Sequence, residues 1–267
     1  IGEDRVSAIG LGTWGIGCKT LPDSSRDKDW VEAIKFAINS GLWLIDTAEF
    51  YGAGHSEELV GEAIKSFGRD KVFIISKVWY THLERDQVIE AAERSLRRLN
   101  TTYIDLYLIH WPSERVPLRE TLSAMQKLID DGKIRYAGVS NFDLDLLIKA
   151  REEMPRSEIV ADEVRYSLTY RAPEKDLLPY CEKEKIALIA YTPLDKGVIA
   201  NDEFLKKVGE KYGKTAAQVA LNWLIYREPV IAIPKAEKKE HILENAGAMG
   251  WRLSAEDYKL ISERFSV

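Results

Sequence analysis

The stretch LWLIDTAEFYG at residues 42–52 joins an apolar run to polar and aromatic side chains that include Asp46 and Tyr51. Two later apolar runs also end on a residue that can hold or move a proton: VFIISK ends on Lys77, and DLYLIH ends on His110. The carboxyl ends of parallel strands converge when a sheet closes into a barrel. An acid, a phenol, an amine and an imidazole at successive strand ends therefore predict a barrel with one assembled site.

Apolar runs rich in β-branched and aromatic residues recur along the whole chain and have the composition of buried strands. The runs are VSAIGLG, LWLIDT, KVFIISK, IDLYLIH, IRYAGVS, EIVADEV, IALIAYT and VIAIP. The segments between them carry helical patterns, such as Leu118, Leu122 and Met125 on one face. This repeated alternation of strand and helix leaves two α/β architectures, a closed (β/α)8 TIM barrel or a doubly wound open sheet.

A GxGxxG motif at Gly10, Gly12 and Gly15 follows a strand-like run and resembles a dinucleotide-binding turn of the open sheet. However, the helix that should begin at once is missing, since the loop-like segment CKTLPDSSRDKD follows. The next strand ends at Asp46, later than the expected acidic residue about 20 positions on. We therefore predict the closed barrel, with these glycines in a tight turn at its mouth, where the backbone passes close to a ligand.

No linker, low-complexity stretch or change in composition divides the chain. We predict a single domain over residues 1–267, because barrels of this class commonly run to about 250 residues. Thr215–Gln218 and Ser254–Asp257 have the spacing of capping boxes ahead of apolar helical patterns. They indicate extra helices at the C-terminal end, one around 203–226 and a last one near 254–264.

The composition is that of a globular protein, with 45% hydrophobic and 30% charged residues. A net charge of −5 argues against nucleic acid as a partner, because phosphate binding needs clustered positive charge. No apolar run approaches the roughly 18 residues of a membrane span, and the first residues lack the features of a signal peptide. The histidines and cysteines show no metal-ligand spacing. We expect a cytoplasmic protein that binds no metal, membrane or nucleic acid.

Asp46, Tyr51, Lys77 and His110 form a set with a definite chemistry. A tyrosine has a pKa of about 10 in solution, a nearby ammonium group lowers that pKa, and a carboxylate keeps the ammonium charged. A histidine can hydrogen-bond a substrate oxygen and fix its orientation. The set suits placing a proton on an oxygen while a hydride arrives at the adjoining carbon. Each residue alone has an ordinary alternative as a cap, an ion pair, a solvated charge or a packed ring, but their joint order favours a site.

The motifs DTAEFYG, SK, LIHWP, GVSN, AYTPL and IPK resemble those of the aldo-keto reductases in order and approximate spacing. The resemblance runs from GLGTW near residue 12 to ILEN near residue 245. It implies a (β/α)8 barrel that binds a nicotinamide dinucleotide across its C-terminal mouth without a Rossmann domain. Asp46, Tyr51, Lys77 and His110 match the catalytic tetrad of the family, with Tyr51 as the general acid in reduction.

The resemblance also implies a cofactor site and a substrate pocket. Ser140 and Asn141 match the pair that hydrogen-bonds the nicotinamide carboxamide, and Tyr191 matches the ring that stacks on the nicotinamide. The other positions that match cofactor contacts are Gly12, Thr13, Trp14, Asp46, Glu163, Thr192, Pro193, Leu194, Lys196, Gly197, Ile233, Lys235, Ala236, His241, Glu244 and Asn245. Bulky walls of the substrate pocket are matched by Trp14, Trp79 and Trp111.

Three of these positions depart from the family pattern. Glu163 stands where the family usually has Gln, Ala236 replaces the usual Ser, and His241 replaces the arginine near the adenosine phosphate. A charged Glu163 would favour the oxidised, cationic nicotinamide. The segment WPSERVPL after His110 is short, which implies an open pocket and a broad range of substrates.

The resemblance predicts a monomeric, NADPH-dependent reductase of aldehydes or ketones that is reversible toward alcohol oxidation. We expect NADPH to be preferred, with NADH as an alternative, because Lys235, Lys238 and Lys239 concentrate positive charge on one short loop. Two other functions stay open, a sugar or polyol dehydrogenase that works mainly in the oxidative direction, and a cofactor-binding regulatory subunit.

Overall fold

The computed structural model describes residues 1–266, and its eight parallel strands neighbour one another in sequence order. The strands are β1 (Leu11–Gly12), β2 (Leu44–Asp46), β3 (Phe73–Val78), β4 (Ile104–Ile109), β5 (Ile134–Ser140), β6 (Ile159–Arg165), β7 (Ala187–Tyr191) and β8 (Val230–Ala232). The sheet closes on itself, because Ile9 pairs in parallel with Ala232 and the Gly10 amide donates to the Ala232 carbonyl at 2.8 Å. The fold is the expected (β/α)8 barrel, and every apolar run contains a strand.

Helices occupy the connections between the strands and the C-terminal segment. They are α1 (Asp27–Asn39), α2 (His55–Ile64), α3 (Arg85–Leu99), α4 (Leu118–Asp130), α5 (Leu144–Glu153), α6 (Leu177–Glu184), α7 (Glu203–Glu210), α8 (Ala216–Leu224), α9 (Lys239–Ala246) and α10 (Ala255–Arg264). Within residues 1–266, no helix combines the length and the apolar character that crossing a membrane requires.

The helical structure predicted around 203–226 is present as two separate helices, α7 and α8. Gly213 adopts a positive φ of 63° between them, a conformation that continues no right-handed helix. The capping box is confirmed, since Thr215 accepts from the Gln218 amide and the Gln218 side chain accepts from the Thr215 amide. Ser254 likewise accepts from the Asp257 amide at the start of α10, which confirms the last predicted helix.

Two apolar layers hold the barrel together. Side chains such as Leu44, Ile75 and Leu106 fill its interior, and a larger outer layer packs the strands against the helices. Every residue of β3 and β4 is buried, as parallel strands covered on both faces require. Side chains at the carboxyl ends of these strands are therefore held by packing from both sides.

The glycines of the GxGxxG motif allow close approach between neighbouring segments of the barrel. A Cβ atom on Gly10 would lie 2.5 Å from the Leu44 side chain, and one on Gly12 would lie 2.7 Å from the Ile233 carbonyl oxygen. Gly15 adopts a positive φ of 92° in the turn that follows. The predicted tight turn is confirmed. Gly10 and Gly12 approach Leu44 and Ile233, which belong to the barrel.

Candidate active site

The four proton-handling residues occur at or just beyond the carboxyl-terminal parts of successive strands. Asp46 ends β2, Tyr51 opens the short helical turn after it, Lys77 lies in β3, and His110 follows β4. The Lys77 ammonium group donates to Asp46 Oδ1 at 2.5 Å and to the Tyr51 hydroxyl at 3.2 Å. It also donates to the Thr47 carbonyl at 3.0 Å. The barrel thus brings together residues that are far apart in sequence.

Burial governs the acid–base state of this cluster. Burial raises the pKa of Tyr51 above its ordinary value, and the opposing charge of Lys77 does not outweigh it. Burial by itself lowers the pKa of Lys77, but the carboxyl groups of Asp46 and Glu163 outweigh it, and the net shift is upward. The expectation of a lowered Tyr51 pKa is therefore wrong for the protein without ligands. Both shifts favour a protonated Tyr51 hydroxyl beside a charged Lys77.

His110 is a neutral imidazole. Burial, and after it the charge of Lys77, lowers the pKa of His110 to about 2. Its ring meets those of Tyr51 and Trp79 edge-on, with centroids 5.7 and 5.0 Å apart. A neutral imidazole has one N–H donor and one acceptor nitrogen, which suits it to orient a substrate oxygen rather than to protonate it.

A chain of buried hydroxyl groups fixes the backbone at Asp46. The Thr47 hydroxyl donates to Ser56 Oγ at 3.1 Å, and the Ser56 hydroxyl donates to Thr13 Oγ1 at 2.8 Å. The Thr13 hydroxyl completes the chain by donating to the Asp46 main-chain oxygen at 2.8 Å. Thr13, predicted as a cofactor contact, therefore holds the catalytic strand end with its hydroxyl. The sequence did not indicate Ser56, which lies in the first turn of α2.

An aromatic wall borders the cluster. Phe50 stacks on Trp79 with ring centroids 3.9 Å apart, and it lies parallel to Trp14 at 6.1 Å. Trp14 also meets Tyr51 edge-on at 5.0 Å. Trp14 and Trp111 are 40% and 42% exposed, so both present apolar surface to solvent near the site. Phe50 was missed by the sequence argument, although it directly precedes Tyr51.

The ends of β5, β6 and β7 are tied together beside the cluster. The Ser140 hydroxyl and the Asn141 amide both donate to the Glu163 main-chain oxygen at 2.9 Å. The Asn141 side chain donates to the His110 carbonyl at 3.1 Å and accepts from the Tyr191 hydroxyl at 2.8 Å. The half-buried Tyr191 ring therefore lies next to the Asn141 amide and the Ser140 hydroxyl.

The loop after β7 has an unusual backbone. Thr192, Asp195 and Lys196 have positive φ values of 53°, 45° and 55°. Residues other than glycine seldom adopt this backbone conformation. A Cβ atom on Gly197 would meet nothing within 4 Å. Strained backbone of this kind clusters at ligand clamps. The same loop holds the remaining predicted contacts of this segment, which are Pro193 and Leu194.

The segment after β8 carries an ion-pair network that the sequence did not reveal. The Lys235 ammonium group lies 2.6 Å from Glu237 Oε1, and Arg26 lies 2.9 Å from Glu237 Oε2. The Trp30 indole donates to the same oxygen at 3.1 Å. Burial opposes ionisation of Glu237, but the hydrogen bonds from Lys235 and Trp30 outweigh it and lower the pKa of Glu237. The lysine at the predicted phosphate position is therefore engaged by a carboxylate.

The other residues predicted on this segment divide by exposure. Ile233, Ala236 and Asn245 are buried, so their side chains support the loop and α9. His241 is exposed, and its Nδ1 lies 3.5 Å from Glu244 Oε2. The His241 ring thus lies next to a carboxyl group.

Comparison with known proteins identifies the family. The sequence model of the Aldo/keto reductase family matches residues 8–264. The chain belongs to this family. It is 38% identical to methylglyoxal reductase YeaE of Escherichia coli, over 99% of this chain and 93% of that protein. It is therefore an NAD(P)H-dependent oxidoreductase.

Solved structures of other aldo/keto reductases share its fold. A thermostable aldo-keto reductase in complex with the inhibitor epalrestat is 47% identical, with a TM-score of 0.93 over 98% of this chain and 96% of that one. An aldo-keto reductase from Klebsiella pneumoniae in complex with NADPH is 37% identical, with a TM-score of 0.91 over 99% of this chain and 93% of that one.

The observed groups of this aldo/keto reductase fit a nicotinamide dinucleotide. The half-buried ring of Tyr191 beside polar groups suits an aromatic carboxamide, and Lys235 suits a phosphate. The strained backbone from Thr192 to Lys196 runs on from Tyr191 along the chain. Among residues 1–266, no group of three or more His, Cys, Asp or Glu side chains is placed to hold a metal ion.

Glu163 differs from the expectation of a charged group at the nicotinamide. It is buried, and burial, followed by the negative charge of Asp46, raises the pKa of Glu163 well above its ordinary value. Arg165 does not neutralise it, since its guanidinium pairs with Asp195 at 3.2 Å. Burial thus opposes ionisation of Glu163, which weakens the case for an electrostatic preference for oxidised cofactor.

Proposed function

We propose that this aldo/keto reductase reduces small aldehydes and α-ketoaldehydes with NADPH, with Tyr51 as the proton donor. The observation that carries the proposal is the bonding of Lys77, which donates to both Asp46 and Tyr51 in a buried site beside exposed aromatic surface. NADH is an alternative cofactor, and the physiological partner is a small carbonyl compound.

In this mechanism each residue has one task. The substrate oxygen lies between the Tyr51 hydroxyl and His110, and the neutral imidazole fixes its orientation. The bound cofactor supplies the hydride to the carbonyl carbon. Tyr51 transfers its proton to the oxygen as negative charge develops there. Lys77 stabilises the resulting phenolate, and Asp46 keeps Lys77 charged and directed at Tyr51.

The shape of the wall supports small carbonyl substrates. Trp14 and Trp111 are partly exposed, while Phe50 and Trp79 are stacked close to the His110 ring. Flat aromatic faces accept a planar dicarbonyl or an aryl aldehyde without a specific polar contact. The relative YeaE carries the name methylglyoxal reductase, which supports α-ketoaldehydes as the first substrates to test.

We expect turnover of NADPH with methylglyoxal and with aromatic aldehydes, measured as the loss of reduced-nicotinamide absorbance. The reverse reaction should be slower with simple alcohols and polyols at neutral pH. Faster oxidation of sugars or polyols would favour the dehydrogenase instead. Binding of NADPH without turnover of any carbonyl would favour the regulatory subunit.

Glu237 should limit the preference for NADPH. We expect the preference over NADH to be modest, about 10- to 100-fold, equivalent to about 1.4–2.8 kcal/mol. Glu237→Gln releases Lys235 and Arg26 from their carboxylate, and both cations become available to the 2′-phosphate. The preference should then rise by about tenfold, because charge-assisted bonds to phosphate are among the strong ones. Dissociation constants from quenching of tryptophan fluorescence test this without turnover.

Glu240→Gln is the matched control for this prediction. Glu240 is an exposed residue of α9, so its substitution makes the same change of charge three residues further on. The preference should be nearly unchanged in this control and should shrink with added salt in every variant. An equal gain from both substitutions would mean that net charge, rather than the Lys235–Glu237 contact, sets the preference.

A further inference from the structure

The catalytic lysine faces two carboxyl groups. Lys77 Nζ lies 2.5 Å from Asp46 Oδ1 and 3.4 Å from Glu163 Oε1. The lysine side chain is 0% exposed and each carboxylate side chain is 3% exposed. The ammonium group therefore has two acidic neighbours in a site closed to water.

The charges of this cluster do not balance if both acids are ionised. Two carboxylates against one ammonium group leave a net negative charge in a buried site, which is strongly unfavourable. Glu163 Oε2 is buried and has no hydrogen-bond partner among residues 1–266, so an ionised oxygen there has no stabilising donor. Two carboxyl groups that share one ammonium neighbour avoid this excess charge by keeping one proton between the two of them.

We propose that Asp46 and Glu163 form one carboxyl pair on Lys77 that holds a single proton and a single negative charge. Glu163 is then a positioning residue, because it acts on Tyr51 through Lys77. The inference rests on the function proposed above for Lys77 and Tyr51, but the pair itself is a property of the protein without substrate. The glutamine that the family usually has at this position cannot share a charge in this way.

The groups that face Glu163 leave it no second cation. β2 presents Asp46, β3 presents Lys77, and the turn after β2 presents Tyr51. In β7, burial and then the charge of Glu163 raise the pKa of Tyr191, whose hydroxyl donates to Asn141. The end of β5 contributes neutral polar side chains. Among the described residues, Lys77 is the one cation within 4.0 Å of the Glu163 carboxyl oxygens. A single negative charge on the carboxyl pair therefore balances it.

A direct consequence is that either acid can serve as the counter-anion. In Asp46→Asn, Glu163 loses its proton and takes over the charge opposite Lys77. In Glu163→Gln, Asp46 keeps that charge, as in the family pattern. Only the double variant leaves Lys77 without a counter-anion.

A double-mutant cycle tests the pair. We expect each single substitution to lower the folded-to-unfolded ratio of the cofactor-free protein by less than about tenfold. The double variant should lose about 100-fold more than the product of the single effects, because a buried charge loses its last partner. A double variant that fails to fold, while both single variants fold, would also show this non-additive loss of stability and would support the proposal. Additive effects would overturn the proposal.

Infrared spectroscopy gives a readout that a purely structural role would not change. The wild-type protein should show a protonated-carboxyl C=O band that shifts in D₂O and is lost in Glu163→Gln. The same band should disappear in Asp46→Asn, because Glu163 ionises there. In Asp162→Asn it should persist, since Asp162 is a buried acid of β6 outside the pair.

Two infrared results would refute the pair. Absence of the Glu163 band in the wild type means that Glu163 is ionised, and its persistence in Asp46→Asn means that the two groups do not share a charge. Both experiments need no substrate. Failure of the proposed carbonyl reduction therefore leaves them interpretable, and failure of the pair leaves the reduction assay unaffected.

Discussion

Tyr51→Phe should abolish most carbonyl reduction while leaving cofactor binding nearly intact. The ring of Tyr51 is packed edge-on against Trp14 at 5.0 Å and His110 at 5.7 Å, and phenylalanine preserves both contacts. Only the hydroxyl that accepts from Lys77 is lost. Because general acid–base assistance is typically worth about 10²–10⁴-fold, kcat should fall within that range. Steady-state turnover and the dissociation constant of NADPH measure the two effects separately.

Tyr107→Phe supplies the matched control. Tyr107 is fully buried in β4 and belongs to the outer apolar layer rather than to the catalytic cluster. Removing its hydroxyl makes the same chemical change in a similarly buried position, and activity should be retained. If Tyr51→Phe kept more than about a tenth of the wild-type kcat, the assignment of Tyr51 as proton donor would be wrong. A loss of less than about tenfold is smaller than the loss of general acid–base assistance usually causes.

The fold was predictable because its decisive signals are local. Each buried strand appears as a continuous apolar run, and a parallel barrel places the ends of such runs at one mouth. Asp46, Lys77 and Tyr51 could be associated for this reason without any knowledge of their distances. The boundary between α7 and α8 is local as well, because Gly213 and the N-cap residue Thr215 both lie between the two helices.

Charge states could not be predicted in the same way. The sequence places an ammonium group near Tyr51, but the sign of the net pKa shift depends on the depth of burial. Glu163 shows the same difficulty, because only the three-dimensional packing brings its carboxyl group to Asp46 and Lys77. Glu237 is adjacent in sequence to a predicted phosphate contact, yet its partner Arg26 comes from the opposite end of the chain. Long-range pairing of this kind leaves no pattern in one sequence.

Lys77→Met should be as damaging to turnover as the loss of the Tyr51 hydroxyl, and it should also destabilise the protein. Methionine fills a similar volume but offers no proton to Tyr51 and no charge to Asp46. The phenolate then lacks its nearby cation, so proton transfer from Tyr51 becomes unfavourable. Removing one partner of a buried ion pair lowers the free energy of unfolding by about 3–5 kcal/mol. Protonation of Asp46 offsets part of this loss. Turnover and chemical unfolding measure the two effects independently.

The double variant Asp46→Asn/Lys77→Met separates catalysis from stability. It removes both charges of the buried Asp46–Lys77 ion pair. Glu163 stays protonated because no cation remains to stabilise its ionised form. Stability should return toward that of the wild type, since a buried pair replaced on both sides is often close to neutral in free energy. Activity should stay lost, because Tyr51 still lacks its ammonium neighbour. Recovery of turnover together with stability would show that Lys77 only balances the charge of Asp46 and takes no part in proton transfer.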